Sequence, residues 1–114
     1  MSFSFSPHVA VQVTNYDQAI EYYQNMLGME VVARNDEEAE LRCGNMTFHI
    51  ENSQYGHIFF EFTVEDAEQA RRDLEAAGCT AFPTHMDRSY LVTDPFGMRY
   101  HILQEINVES VVAD

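Results

Sequence analysis

The segment HVAVQVT, His8–Thr14, has a counterpart about fifty residues later in HIFFEFT, His57–Thr63. Position by position, His8 meets His57, Gln12 meets Glu61 and Thr14 meets Thr63. Each copy then runs through an acidic helix start to a glycine, Gly28 or Gly78, one residue out of step. A chain that repeats a strand and a helix in this way is expected to fold as two copies of one unit. Side chains alternate along a strand, so His8, Ala10 and Gln12 share one face while Val9, Val11 and Val13 share the other. In the second copy His57, Phe59 and Glu61 oppose Ile58, Phe60 and Phe62. The apolar face is expected to pack on the helix, which turns each histidine the other way.

The rest of each copy follows from local signals. Asn15 with Gln18 has the spacing of a capping box, and Asp17 suits the positive end of a helix dipole. Ile20, Tyr23 and Leu27 fall on one helical stripe that Gly28 can close. Met29–Arg34, Glu38–Cys43 and Asn45–Glu51 read as strands, the first two joined by the polar turn Asn35, Asp36, Glu37. After the short linker Asn52–Gly56 comes the second strand–helix pair, with Ala67, Ala70, Leu74 and Ala77 on the helix stripe. Thr80–Thr84, with Pro83, reads as an edge strand or bend. Arg88–Thr93 and Met98–Glu105 follow, joined by the turn Asp94, Pro95, Phe96, Gly97. The order is βαβββ twice, in an α+β domain spanning residues 1–114, with modules at 8–52 and 57–105. Ser2–Ser6, alternating serine with phenylalanine, is either an extended lead-in or an arm toward another subunit.

At 114 residues the chain is long enough to bury an ordinary core without disulfides. Cys43 and Cys79 lack the spacing of a redox or zinc pair and read as reduced thiols. Six basic residues, all arginine, against nineteen acidic ones give a net charge of -13. Such a field repels nucleic acid and anionic lipid, and it favours cations. No apolar run approaches the ~18 residues of a membrane span, and no signal peptide is apparent, so the expectation is a soluble, cytoplasmic protein.

Four of the five histidines occupy repeat-related strand positions: His8 and His57 in the first strand of each copy, His49 and His101 in the last. Thr47, His49 and Glu51 share a face, as do Arg99, His101, Leu103 and Glu105. If the opposite faces take the helices, the four imidazoles look into a common concave surface. Neutral imidazoles on rigid strands suit a divalent metal ion, whether zinc, iron, nickel or manganese. Taken singly, each histidine is also consistent with a polar residue on a half-exposed strand. His85 has no counterpart in the first copy and reads as a surface or pocket residue.

The stretches AIEYYQNMLGMEVV and DPFGMRYHI resemble the helix-to-strand and Asp-Pro-x-Gly signatures of the vicinal oxygen chelate superfamily. This is the group of glyoxalase I, extradiol dioxygenases and bleomycin-resistance proteins, and the resemblance runs through nearly all of residues 8–105. It implies two modules forming a curved, barrel-like mixed sheet with helices outside, within one chain or across a homodimer. It also implies metal ligands at His8, His49, His57 and His101, or three of them. The chain departs from the glyoxalase pattern, whose last-strand ligands are typically glutamates, and His101 stands where extradiol dioxygenases carry a carboxylate. A proton-transfer role therefore falls to Glu61 or Glu105, with Glu51 or a free imidazole as further candidates. Phe59, Met86, Tyr90 and Arg99 are the expected pocket residues. The expected activity is a metal-dependent lyase or isomerase, or a dioxygenase, acting on the vicinal oxygens of a small molecule. The alternative is metal-free small-molecule binding of the bleomycin-resistance kind, in an aromatic groove.

Overall fold

A computed structural model describes residues 2–105; the tail Ile106–Asp114, to which the sequence assigns no element, lies outside the described residues. The elements are β1 (Phe3–Val13), α1 (Tyr16–Leu27), β2 (Glu30–Arg34), β3 (Glu38–Cys43), β4 (Met46–Asn52), β5 (Ile58–Val64), α2 (Ala67–Ala76), β6 (Thr80–Pro83), β7 (Ser89–Thr93) and β8 (Arg99–Gln104). This is βαβββ twice, the α+β architecture that the repeat predicts. Two compact units form, Ser6–Glu61 and Phe62 onward joined by the chain up to Phe5. The division falls inside β1 and β5 rather than in the linker, because strand contacts follow side-chain packing and not chain connectivity.

In the Ser6–Glu61 unit the strand order is β2-β3-β4-β1. β1 pairs with β4 in parallel, and β3 pairs antiparallel with both β2 and β4. Parallel neighbours need a long connection, which α1, β2 and β3 supply. The register places Val9 beside Phe48 and Val11 beside Ile50. These side chains belong to the face that meets α1, where Tyr16, Ile20, Ala39, Leu41 and Ile50 form the buried cluster with Val11, Val13, Tyr23 and Phe48 around it. Full burial of a side chain such as Ile20 contributes roughly 1.5–3 kcal/mol. Asn35 Oδ1 accepts the N–H groups of Glu37 and Glu38, which fixes the β2–β3 turn.

Two local expectations for α1 fail. Asn15 makes no side-chain cap; at φ −100°, ψ 70° it is not in the extended conformation from which a cap reaches into the first turn. Leu27 is 52% exposed, because burial along α1 fades toward its final turn, which lies outside the cluster. Gly28 does close the helix in the left-handed conformation, at φ 71°.

The second unit takes the order β5-β8-β7-β6, with β7 antiparallel to both neighbours and β6 at the edge. Asp66, in extended conformation, caps α2 by accepting from the Gln69 N–H. Val64, Ala67, Ala70, Val92, Tyr100 and Ile102 form the core. Phe3 and Phe62 pack on it, their rings 6.2 Å apart, and Phe5 lies 5.7 Å from Phe62. The Ser-Phe lead-in is thus the beginning of β1, held within its own chain by aromatic contacts. Gly78 takes φ +102° where an added Cβ would stand 3.2 Å from Pro95 Cγ, so no other residue fits without displacement. Cys43 and Cys79 are free thiols. No helix among the described residues is long and apolar enough to cross a membrane.

Ile50→Ala and Ile102→Ala, each emptying a fully buried position, are expected to lower the unfolding free energy by roughly 2–5 kcal/mol in urea titrations. Ile58→Ala, at a half-exposed side chain, should change it by less than about 0.5 kcal/mol. Tyr100 supplies a pH test, since burial first and the Cys79 thiol second push its hydroxyl up to about 12 from an ordinary 10.0. A phenol raised in the folded state stabilises fully below its unfolded value and loses that contribution as pH climbs through the folded one. Stability should therefore fall between pH 10 and about 12 in the wild type, and Tyr100→Phe should lack that component; parallel melting curves over this window would exclude the assignment.

Candidate functional site

The face of the first unit turned away from α1 carries His8, Ala10 and Gln12 from β1, Thr47, His49 and Glu51 from β4, and Glu38, Glu40 and Arg42 from β3. Their alternation with the buried Ala39, Leu41 and Ile50 sets this placement. Ala10 stands opposite His49, and its small side chain leaves room for the imidazole to lean toward His8. The two rings lie 5.2 Å apart at 25°, and His8 Nδ1 is 2.9 Å from His49 Nε2. The far nitrogen of His49, Nδ1, meets Glu38 Oε1 at 3.2 Å. Glu38, His49 and His8 therefore form one chain of polar contacts across three strands, partly open to solvent.

His57 lies at the other end of this face. Its carbonyl accepts the Gln12 N–H at 2.9 Å and its own N–H donates to Gln12 Oε1 at 3.2 Å. Gln12 is four residues from His8, on the order of 13 Å along a strand, which sets His57 apart from His8 on this face. The His57 ring stacks on Tyr55 and meets the edge of buried Phe59. Gln12 Nε2 also donates to Glu51 at 3.3 Å. Glu61, partly buried, accepts from the Ser6 hydroxyl.

In the second unit His101 stands opposite Leu91, on the β8 face that also carries Arg99 and Leu103. Its Nε2 contacts the hydroxyl of Ser89, a buried residue that in turn accepts from Thr84 Oγ1 at 2.8 Å. Glu105 is exposed just beyond β8, its N–H donating to the Val64 carbonyl. Met86 and His85 are exposed in the β6–β7 connection, where the Met86 N–H donates to Thr84 Oγ1.

Tyr90 belongs to the opposite face. It packs beside α2, where its hydroxyl donates to Glu68 at 2.6 Å and the Arg71 guanidinium lies 5.8 Å from its ring. With Glu65, Asp66, Glu68, Asp87, Arg88 and Gln104 it lines an open acidic groove of about 450 Å³. Arg71, first, and the Tyr90 hydroxyl, second, hold the Glu68 carboxyl down at about 2. The same carboxylate raises the Tyr90 hydroxyl.

The structure thus unites His8 with His49, sets His57 apart from them along the sheet, and carries His101 in the other compact unit. Among the described residues no group of three or more His, Cys, Asp or Glu side chains is arranged to hold a metal ion. The donor chemistry suits such an ion, since His8 is held through Nδ1 and its Nε2 faces away from that contact. Glu38 and Ser89 are the partners that the sequence reading missed. Strand alternation in β3 and β7 is the signal for both, placing Glu38 with His49 and Ser89 with Leu91 and His101.

A model of the Glyoxalase/Bleomycin resistance protein/Dioxygenase superfamily matches residues 6–102. The glutathione transferase FosA of Serratia marcescens is 25% identical over 93% of this chain and 82% of its own. Homoprotocatechuate 2,3-dioxygenase of Brevibacterium fuscum, in an anaerobic complex with 3,4-dihydroxyphenylacetate, superposes with a TM-score of 0.69 at 18% identity. That likeness covers 93% of this chain and 38% of the dioxygenase. The Mn(II)-bound glyoxalase of Novosphingobium aromaticivorans gives 0.64 at 16% identity, over 88% of this chain and 38% of that one. At such identities the structural likenesses speak for the fold. The family match reaches from the first half of β1 into β8, and the chain belongs to the glyoxalase/bleomycin resistance protein/dioxygenase superfamily.

Proposed function

We propose that this protein is a divalent-metal-dependent enzyme that binds two neighbouring oxygens of a small substrate, with His8, His57 and His101 as the metal donors. The observation that carries the reading is the placement of histidines on strand faces turned away from the helices, with His8 held through Nδ1 and its Nε2 on the opposite edge of the ring. The separation of His8 from His57 along one sheet favours a site completed by a second copy of the chain, so the proposal includes a homodimer. The similar glyoxalase, which holds Mn(II), and the similar dioxygenase, in complex with 3,4-dihydroxyphenylacetate, agree with a metal and a substrate of this class.

When bound, a divalent ion supplies Lewis-acid polarisation of the chelated oxygens. The chain's own residues supply the rest. Glu61, which accepts from the Ser6 hydroxyl, and Glu105, just beyond β8, are the carboxylates assigned the substrate proton in this reading. Phe59 gives an apolar wall beside His57, and Arg99, on the His101 face, offers a charge for an anionic substrate group. Met86, exposed before β7, is available to cover the substrate. Tyr90, committed to Glu68 on the helix side, takes no part in this reading.

Metal analysis of protein purified without an affinity tag is expected to find close to one divalent ion per chain, lost in His8→Ala, His57→Ala and His101→Ala. A dimer mixed from His8→Ala and His57→Ala chains should regain metal at one of its two sites, because one pairing unites an intact His8 with an intact His57. Substoichiometric metal that the substitutions leave unchanged would reject the enzyme and favour metal-free small-molecule binding. Turnover of a hemithioacetal without oxygen, as against aerobic cleavage of a catechol, separates the isomerase from the dioxygenase.

A further inference from the structure

His49 occupies the position equivalent to His101 in the repeat, but both of its ring nitrogens are engaged within the chain, Nε2 by His8 and Nδ1 by Glu38. We propose that Glu38 and His49 are positioning residues that fix the tautomer and orientation of His8, and that His49 is not itself a metal donor. A carboxylate only accepts, so a neutral His49 carries its proton on Nδ1, facing Glu38. Its Nε2 is then an acceptor, so His8 carries its proton on Nδ1, 2.9 Å away. That leaves the lone pair of His8 on Nε2, directed away from the contact. The result is the carboxylate–imidazole arrangement that commonly orients a metal-binding histidine, extended here by a second imidazole.

The strands make this geometry rigid. His49 comes from β4, between β3, which carries Glu38, and β1, which carries His8. Ile50, adjacent to His49, is fully buried on the other side, and Leu41 and Ala39 anchor β3 in the same cluster. Glu40 faces His49 across the β3–β4 ladder, yet Glu38, one pleat along, makes the contact. A diagonal partner of this kind is within reach of a long side chain.

The use of the His8 lone pair for a metal rests on the proposed function, whereas its tautomer does not, and the experiment reads the two separately. In long-range ¹H–¹⁵N correlation spectra of the metal-free protein, recorded at a pH where both rings are neutral, His8 and His49 should both appear in the Nδ1–H form. Glu38→Gln, which keeps an accepting oxygen, should preserve that pattern, while Glu38→Ala should let His49 populate both forms. His49→Ala should do the same to His8. The half-exposed Glu38 variants provide the test if His49→Ala does not fold. Calorimetry with Zn²⁺ alone should show binding weakened roughly 10–100-fold by Glu38→Ala and restored by Glu38→Gln. An Nε2–H form of His8 in the wild type, a His8 tautomer indifferent to both Glu38→Ala and His49→Ala, or a coordination shift of a His49 nitrogen on adding Zn²⁺ would overturn the proposal. Absence of Zn²⁺ binding in the wild type would defeat the metal reading instead, with the metal-free spectra still deciding the roles of Glu38 and His49.

Discussion

The parallel ladder between β1 and β4 is the constraint on which the first module depends. Hydrophobic burial sets its register: Val11 and Ile50 pair on the side that α1 covers, with Val9 buried and Phe48 packed beside them. A strand has period two, so a slip of one residue would send these side chains into solvent and bring His8 and His49 under the helix. The polar face is therefore arranged by the apolar one. The imidazole contact is a consequence of where Ile20, Leu41 and Ile50 need to be, and it inherits their rigidity.

This coupling explains what the sequence reveals and what it conceals. Periodicity and the closing glycines are local properties, and they suffice for the two βαβββ modules and for the faces on which His8, His49 and His101 lie. The capping box at Asn15 fails because it depends on a backbone angle that residue type does not determine. The lead-in Phe3 and Phe5 finds its partner in Phe62, far along the chain, so nothing near them in sequence announces the contact. Glu38 is hidden for a similar reason: its tie to His49 depends on the β3–β4 register and on a diagonal reach. Tyr90 alternates with Leu91 and shares the face of buried Val92, which puts it on the helix side, where it lines the groove beside Glu68.

The strongly negative charge bears on the same face. Several arginines are occupied locally, Arg34 by Asp17, Arg71 by Glu68 and Glu75, and Arg88 by Asp87. Exposed pairs of this sort add little stability, but they offset part of the surrounding acidic field. Around the imidazoles the sheet presents Glu38, Glu40 and Glu51 with Arg42 as the basic residue of that strand face. Such a surface draws divalent cations more readily than anions, and the effect weakens as salt screens it.

Sequence symmetry between the modules does not become chemical symmetry. His49 and His101 hold equivalent positions in the repeat, yet His49 is spanned by an imidazole and a carboxylate, whereas Nε2 of His101 meets the hydroxyl of Ser89, itself an acceptor for Thr84. The difference originates in the neighbouring strand. β3 brings an exposed glutamate to the polar face, while β7 brings a buried serine. The fold fixes which face each histidine occupies, and the adjacent strand sets which neighbour its imidazole meets.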